Sequence, residues 1–305
     1  MSTQSNAVPD ARVDSQVIAP AVVADTRPMF WSIQREFWEN RFIYAAPLAA
    51  SGIVLFGFFI STVRRSVIGL DPSKQFEVLS WPYVFAPSLI MGASFLAGLF
   101  YCLDALHGER RDRSILFWKS LPVSDLTTVL AKAGIAIVIL PLLNFAITFV
   151  TQAIMLLVSS MVLLANGLSI APLWTHLSMY QMSLMLLYHL VSVHILWYAP
   201  IYAWLLLVSG WARRATLVWA ALPPFAIAVI EKIAFNTSHF ARMLSYRLIG
   251  PERFEMSRHG GEPMYPMTTM DPGKFLSSPG LWLGLAAAAV FLALAVRVRR
   301  YREPI

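Results

Sequence analysis

The densest group of charged residues lies in a long connection between two apolar runs. It reads Glu109-Arg110-Arg111-Asp112-Arg113 and is followed by Ile115, Leu116, Phe117, Trp118, Ser120, Leu121 and Pro122. Antiparallel helices can be joined by a few residues, whereas this connection has about thirty. Charges of both signs beside aromatic residues are typical of a docking surface, and Pro122 is expected to end a short helix. We therefore predict a helix that docks another protein; a basic stop-transfer loop is the alternative.

Four polar residues recur at helical spacing within the third apolar run. Asn144, Thr148, Thr151 and Gln152 therefore share one face of a predicted helix. Polar groups in hydrocarbon must find partners, so this face either bonds to neighbouring helices or lines a substrate path. In the fourth run, His189 and His194 are five residues apart, which does not place them on one face of an α-helix. Since no carboxylate accompanies them, we predict neither a metal site nor an acid–base pair there.

The outer side of the protein is predicted to carry two further groups. Glu231 and Lys232 end the fifth apolar run, and because charges are costly at the bilayer centre we place them at an outer gate. An amphipathic helix is expected between residues 234 and 249. Met264, Met267 and Met270 are three residues apart, and thioethers at that spacing could hold Cu(I). The alternative is a flexible proline-rich loop without metal.

The elements that position these residues must be membrane helices. The chain has 305 residues, of which 57% are hydrophobic and only 13% charged, too few charges to cover soluble domains. Lipid must solvate part of the surface, so we predict an all-α polytopic membrane protein. The formal net charge of +7 comes mainly from basic residues beside the apolar runs, which argues for membrane orientation and against nucleic acid as a partner. The single cysteine, Cys102, excludes an intrachain disulfide.

Six apolar runs are long enough to cross about 30 Å of hydrocarbon. The predicted spans are residues 43–63, 83–103, 134–158, 179–208, 215–233 and 281–296. The fourth is long and contains Pro200, so a re-entrant pair of helices is an alternative to a single crossing. Gly280, Gly284 and Ala288 form a stripe of small residues on the sixth span, which favours close helix packing.

The N-terminal part divides into a tail and an amphipathic helix. Residues 1–28 are polar and proline-punctuated and are predicted to form a disordered cytoplasmic tail. Residues 29–305 form the six-helix transmembrane domain, with an outer segment at 234–279. Near residue 30, the aromatic residues Phe30, Trp31, Phe37 and Trp38 lie opposite Arg35, Glu36, Glu39 and Asn40 on a helix, and Arg41 follows. An aromatic face that leads into a span predicts an interfacial helix in the headgroup plane.

The basic residues predict the orientation of the spans. With both termini in the cytoplasm, 15 of the 24 Lys and Arg residues lie inside and nine outside. Lys and Arg accumulate on the cytoplasmic side of membrane proteins, and most of the outer ones lie in a long loop that counts little. Arg64 and Arg65 oppose this orientation. We predict a multi-pass protein of the cell inner membrane with cytoplasmic termini.

The charged connection resembles the coupling helix of type-2 ABC transporter permeases. The family pattern of Glu-Arg, further charged residues, Ser-Leu-Pro and a downstream lysine is matched by Glu109 to Ser114, Ser120 to Ser124 and Lys132. The string Arg35-Glu36-Phe37-Trp38-Glu39-Asn40-Arg41 is similar to the family's interfacial helix. Six spans, inward termini and an enlarged outer segment also match, so the resemblance covers nearly the whole chain after the tail.

The resemblance implies a bacterial transport subunit that is not itself an enzyme. In this family the coupling helix enters a groove on an ATPase subunit, and two ATPase subunits serve two identical or related permease subunits. ATP and Mg would be bound by the ATPase, and this chain would bind no cofactor. The chain has no Gly-x-x-x-x-Gly-Lys-Ser/Thr phosphate loop, in agreement with a separate ATPase. The implied function is export by alternating access of a substrate that the motifs do not name.

Two other classes of function stay open at this point. An ATP-independent carrier or channel would have the same spans without an ATPase partner, so a copurifying ATPase separates it from the first class. A membrane-embedded enzyme would need carboxylates or histidines that face one cavity.

The predicted topology can be tested by labelling single cysteines in a variant that lacks Cys102. Arg113→Cys and Arg300→Cys should react with a membrane-impermeant reagent only from the cytoplasm, because inward termini place both positions there. Met264→Cys should react from outside. Labelling of position 264 from the cytoplasm would contradict the arrangement.

Overall fold

Helices account for all the regular secondary structure in the described part of the chain. The computed structural model describes residues 28–64, 72–120, 123–167, 169–249 and 272–302. The elements are α1 (Pro28–Glu39), α2 (Phe42–Arg64), α3 (Pro72–Ala105), α4 (His107–Arg111), α5 (Ser114–Ser120), α6 (Asp125–Gly134), a first π-helical turn (Ile135–Ile139), α7 (Leu140–Ala165), α8 (Ala171–His176), α9 (Met179–His189), a second π-helical turn (Leu190–Trp197), α10 (Ala199–Trp211), α11 (Thr216–Phe235), α12 (His239–Ile249), α13 (Pro272–Ser277) and α14 (Pro279–Tyr301).

Six of the described helical segments are long and apolar enough to cross a membrane. They are Phe42–Thr62, Trp81–Arg111, Asp125–Ala165, Leu173–Trp197, Thr216–Phe235 and Pro279–Tyr301. The predicted all-α membrane fold with about six spans is therefore confirmed. Many large apolar side chains on these helices are exposed, as expected for surfaces that lipid solvates. The two predicted amphipathic helices correspond to α1 and α12, although α12 begins later than predicted because α11 continues to Phe235.

The fourth span is one bent crossing that runs alongside α3. At one end, Met179 packs into a cluster with Tyr83. At the other end, the Ser209 hydroxyl accepts hydrogen bonds from the backbone N–H groups of Leu106 and His107, at 3.0 and 2.9 Å. Between residues 179 and 209 the chain passes from one end of α3 to the other. A re-entrant pair would return to the end where it began, so this segment is a single crossing.

Prolines explain why this bundle contains two π-helical turns. Proline has no N–H to donate, and its ring clashes with the carbonyl four residues earlier in an α-helix. Pro141 follows the first π-helical turn and Pro200 follows the second, so in both places the backbone widens just ahead of a proline. The N–H of Tyr198 donates to the carbonyl of Val193, five residues back, at 2.9 Å. The two widened turns pack against each other inside the bundle.

The second π-helical turn changes which side chains are neighbours. Residues five apart lie one above the other in a π-helix. The rings of His189 and His194 are accordingly 6.1 Å apart between centroids, so the prediction that they do not share a face was wrong. His194 also packs edge-on against Phe95 and Tyr198. Within the described residues, no group of three or more His, Cys, Asp or Glu side chains is placed to hold a metal ion.

The small residues of α14 serve two neighbours. Ala288 packs against Ala199 and Ala203 of α10, as the stripe predicted. Gly280 and Gly284 instead face α12, where the guanidinium of Arg247 occupies the space that a Cβ at position 284 would need.

Arg247 fastens α12 to the bundle. Its guanidinium lies 4.3 Å above the indole of Trp197 and donates to the Gly280 carbonyl at 3.0 Å. The Trp197 indole N–H donates in turn to the Arg247 carbonyl at 3.0 Å. Burial lowers the pKa of Arg247 to about 10, so the side chain is still charged at neutral pH.

Gly284→Ala should release this fastening. The added methyl group would displace the guanidinium from Trp197 and from the Gly280 carbonyl, at a cost of about 1–2 kcal/mol. Hydrogen exchange across residues 239–249 should therefore become faster. Gly92→Ala is the matched control, because a Cβ at that helical position meets no atom within 4 Å. Equal exchange in both variants would show that Arg247 does not hold α12 in place.

Candidate coupling site

A buried ionic cluster joins several helices at the end of the bundle that carries α4. Its acidic members are Glu36, Glu109 and Asp125, and its basic members are Arg35, Lys132 and Arg299. Glu36, Lys132, Arg299 and Glu109 are 1%, 2%, 4% and 8% exposed. These three carboxylates and three cations balance one another, which is the condition for burying charges at all. The exposed Glu39 adds a fourth carboxylate, 3.5 Å from Arg35 Nε, at the edge of the cluster.

Lys132 lies at the centre of the cluster. Its Nζ is 2.6 Å from Glu36 Oε1 and 3.2 Å from Glu109 Oε1. Arg35 Nη2 reaches the same two carboxylates, at 2.6 and 3.0 Å. Because these residues belong to α1, α4 and α6, their pairing fixes the two outlying helices to the third span.

Arg299 and Tyr101 extend the cluster to two more helices. Arg299 Nη2 is 3.2 Å from Glu109 Oε2, and its Nη1 pairs with Asp125 at the start of α6. The Tyr101 hydroxyl donates to Glu36 Oε2 at 3.0 Å. The last span is thereby bonded to the carboxylate of α4, and α3 to the carboxylate of α1.

Two local features place the cluster residues. The Ser124 hydroxyl accepts the Thr127 N–H at 3.0 Å, so α6 begins where the sequence predicted. This start puts Asp125 in the first turn and Lys132 two turns later. Burial alone would lower the pKa of Arg35, but Glu36, Glu39 and Glu109 outweigh it and raise that pKa, so Arg35 stays charged.

The interfacial helix does not turn its polar side to water. Glu36 is buried in the cluster and Arg35 is partly buried, whereas Trp38, Glu39 and Arg41 are exposed. Members of both predicted sides pack on the bundle, since Phe37 contacts the apolar core and Glu36 meets the cations of other helices, while Trp38 and Glu39 stay exposed.

The predicted coupling residues divide into an anchor and an exposed face. Glu109 belongs to the ionic cluster, and Arg110 Nη1 donates to the carbonyls of Gly210 and Ala212 at 2.8 and 3.2 Å. Both side chains are buried, so they fix α4 to the bundle and are not available to a partner.

The exposed face, which we call the docking face, consists of Arg111, Asp112, Arg113, Leu116 and Phe117. The three charged residues are exposed, and Leu116 and Phe117 are 59% and 60% exposed. The predicted residues Trp118, Ser120, Leu121 and Pro122 lie outside the described side chains.

The polar row on the third span is buried, and its hydrogen bonds are divided between its own helix and two neighbouring helices. Asn144, Thr148, Thr151 and Gln152 are all 3% exposed or less. The Thr151 hydroxyl is 2.7 Å from the Ser51 hydroxyl of α2, and Gln152 Nε2 donates to the Tyr83 carbonyl of α3 at 3.3 Å. These two contacts are those of helix packing, whereas Asn144 Nδ2 and Gln152 Oε1 are buried without a hydrogen-bond partner in the described part of the chain. The substrate path along this row stays a prediction.

The predicted outer gate contains a helix cap. The Glu231 carboxylate accepts the N–H groups of His239 and Phe240, at 2.6 and 2.8 Å, and the Thr237 hydroxyl at 2.7 Å. A carboxylate at a helix N-terminus is stabilising, so Glu231 holds the start of α12. Lys232 is exposed. The gate itself stays a prediction, and the copper hypothesis concerns Met264, Met267 and Met270, which lie outside the described residues.

Sequence reasoning missed Asp125, Arg299 and Tyr101, and it noted Lys132 only through the family pattern. Lys132 carries a detectable signal, since it is a lone charge on a stretch that runs into an apolar span. Arg299 carries none, because it is one of three arginines at the end of the sixth span and only the folded contacts single it out.

Lys132→Met should destabilise the protein by about 3–5 kcal/mol, because it leaves two buried carboxylates short of a cation. The double variant Lys132→Met/Glu36→Gln should recover part of that loss, since one of the uncompensated charges is gone. Thermal unfolding in detergent would measure both effects. Arg111→Gln is the control and should change the melting temperature little, because its partners Asp104 and Asp112 are exposed. Equal melting temperatures for Lys132→Met and the parent would contradict the role given to the lysine.

Comparison with known proteins adds no relative to this picture. The chain matches no protein-family model, no curated protein and no solved structure.

Proposed function

We propose that this chain is the permease subunit of an ATP-binding-cassette exporter, driven by an ATPase on a separate chain. One observation carries the proposal. The docking face is joined through Glu109 and the ionic cluster to α1, α6 and α14, and α6 and α14 belong to two of the spans. A segment that served only as a connecting loop would not need ionic bonds to three other helices.

The chemistry of the docking face suits a protein partner. Charges of both signs give orientation and favour correct pairing, while a desolvated aromatic side chain supplies much of the binding energy at an interface. Arg111, Asp112 and Phe117 offer both kinds of contact side by side.

The ionic cluster supplies a route for force. When two ATPase subunits close around ATP, a helix held in the ATPase groove is displaced with them. Because Glu109 pairs with Lys132 and Arg299, displacement of α4 would be passed to the third and sixth spans. Glu36 would pass the same displacement to α1.

The proposed complex contains two permease subunits, identical or related, with two ATPase subunits. Of the helix α11, only Ala220 is buried, so nearly the whole of that span is left for lipid or for a second permease. The resemblance favours the first and fifth spans as the contact between permeases. ATP and Mg would be bound by the ATPase subunits.

One observation is equally compatible with the alternative of an ATP-independent carrier or channel. Ser94 and Tyr202 are fully buried among the spans, and their hydroxyls have no hydrogen-bond partner in the described part of the protein. Unsatisfied polar groups in a membrane interior are costly and often mark a pathway. A transporter driven by ATP also needs a pathway, so this observation does not displace the proposal.

The proposal is tested by altering the docking face and leaving the anchor intact. Arg111→Glu and Phe117→Ala should reach the membrane at the parent level, because both side chains are exposed. Each should lose the copurifying ATPase by about tenfold or more, since a reversed charge or a lost aromatic anchor costs an interface one to several kcal/mol.

Matched controls lie at the other end of the bundle. Arg242→Glu reverses an exposed charge on α12, and Phe235→Ala removes a side chain that is 73% exposed. Both should retain the ATPase. If Arg111→Glu and Phe117→Ala also keep full transport with the ATPase bound, the docking face is not the coupling site and the carrier reading becomes the better one.

A further inference from the structure

We propose that the turn between α10 and α11, together with the end of α14, binds the phosphate headgroup of an anionic phospholipid. The residues that would contact the headgroup are Arg213, Arg214 and Arg302. None of these three arginines belongs to the docking face, and the inference does not depend on the proposed transport function.

Positive charge converges on this turn. Arg302 Nη1 donates to the carbonyl of Trp211 at 2.8 Å, and Arg110 Nη1 binds the neighbouring carbonyls of Gly210 and Ala212. Arg110 also experiences the like charges of Arg213 and Arg302. The carbonyls at the end of α10 carry only partial negative charges, whereas each arginine carries a full positive charge. The carbonyls therefore balance the arginines only in part.

No carboxylate in the described part of the chain neutralises these arginines. Arg213, Arg214 and Arg302 form no ion pair there, in contrast to Arg35, Lys132 and Arg299 of the ionic cluster at the same end of the bundle. Arg213 and Arg214 are exposed and Arg302 is partly exposed, so an anion from outside the chain can reach them.

The turn lies at the depth of lipid headgroups. The helix α11 has 20 residues, which at about 1.5 Å per residue matches the roughly 30 Å of hydrocarbon. Of this apolar helix only Ala220 is buried, so the part of its surface that a second permease does not cover faces acyl chains. Arg214 precedes its first residue, Thr216, by two positions and therefore stands at the boundary of the hydrocarbon.

Two tryptophans mark the same boundary. Trp211 and Trp219 pack edge to face with centroids 4.9 Å apart, and each is 39% exposed. Tryptophan is enriched where hydrocarbon meets headgroups, and it offers an apolar surface to the first acyl carbons. The pair flanks the arginines on the chain, before and after the turn.

The chemistry selects a phosphodiester. A guanidinium donates two parallel hydrogen bonds to phosphate oxygens, and it is more weakly hydrated than an ammonium group. Basic pockets between spans bind anionic headgroups in this way. A headgroup phosphate at this site would leave its acyl chains beside α11, which an inorganic phosphate ion could not use.

The test is native mass spectrometry of the purified full-length protein with phosphatidylglycerol or phosphatidylcholine added. The parent should retain phosphatidylglycerol, and the double variant Arg213→Gln/Arg214→Gln should retain it at least about tenfold more weakly. Arg302→Gln should also weaken retention. Arg242→Gln, on the distant α12, is the control and should bind as the parent does.

Further arms separate the alternatives. Inorganic phosphate in excess should not displace the lipid; displacement would show a site for free phosphate and overturn the proposal. Equal retention of the two lipids would overturn the proposal as well, and so would unchanged retention in both arginine variants. If the arginine variants lose a copurifying protein while lipid retention is unchanged, the arginines belong to a protein interface and the proposal is also overturned. If the double variant does not fold, the decisive result is the parent in nanodiscs, which should melt at a higher temperature with phosphatidylglycerol than with phosphatidylcholine.

Discussion

The ammonium group of Lys132 sits almost wholly buried at the point where α6 runs into the third span. A charge in that position is tolerated only when opposite charges lie against it. Glu36 and Glu109 meet this requirement from two helices outside the spans, and Arg299 balances them from the last span. This requirement thus sets where α1, α4 and α14 lie. Because the ion pairs of Glu109 fix α4 to the bundle, they also fix the position of the docking face that follows it.

Some of this arrangement could be predicted from the sequence and some could not. Hydropathy located the six spans because lipid imposes the same length on each of them, and the cap at Ser124 is a local signal. Glu36 and Glu109 are predicted to lie on exposed surfaces, whereas both are buried in the ionic cluster. A sequence shows that a residue is charged, whereas its burial depends on cations that are distant along the chain.

The π-helical turns illustrate a second kind of limit. Pro141 and Pro200 are visible in the sequence, but a proline in a helix can produce a kink, a break or a widened turn. Here the backbone widens, and spacing rules based on 3.6 residues per turn no longer hold. The contact between His189 and His194 follows from that local change and could not have been derived from their separation alone.

In the proposed complex, α4 and the last span move as one body when ATP draws the ATPase subunits together. Spin labels at His107→Cys in α4, outside the docking face, and at Tyr301→Cys, in a background without Cys102, would report the distance between α4 and the end of α14 in the proposed complex with an ATPase. Because Glu109 and Arg299 join the two elements, that distance should be the same with and without ATP, while labels at the outer ends of the spans change their separation. A distance between positions 107 and 301 that changes with ATP, with the outer ends unmoved, would contradict the account.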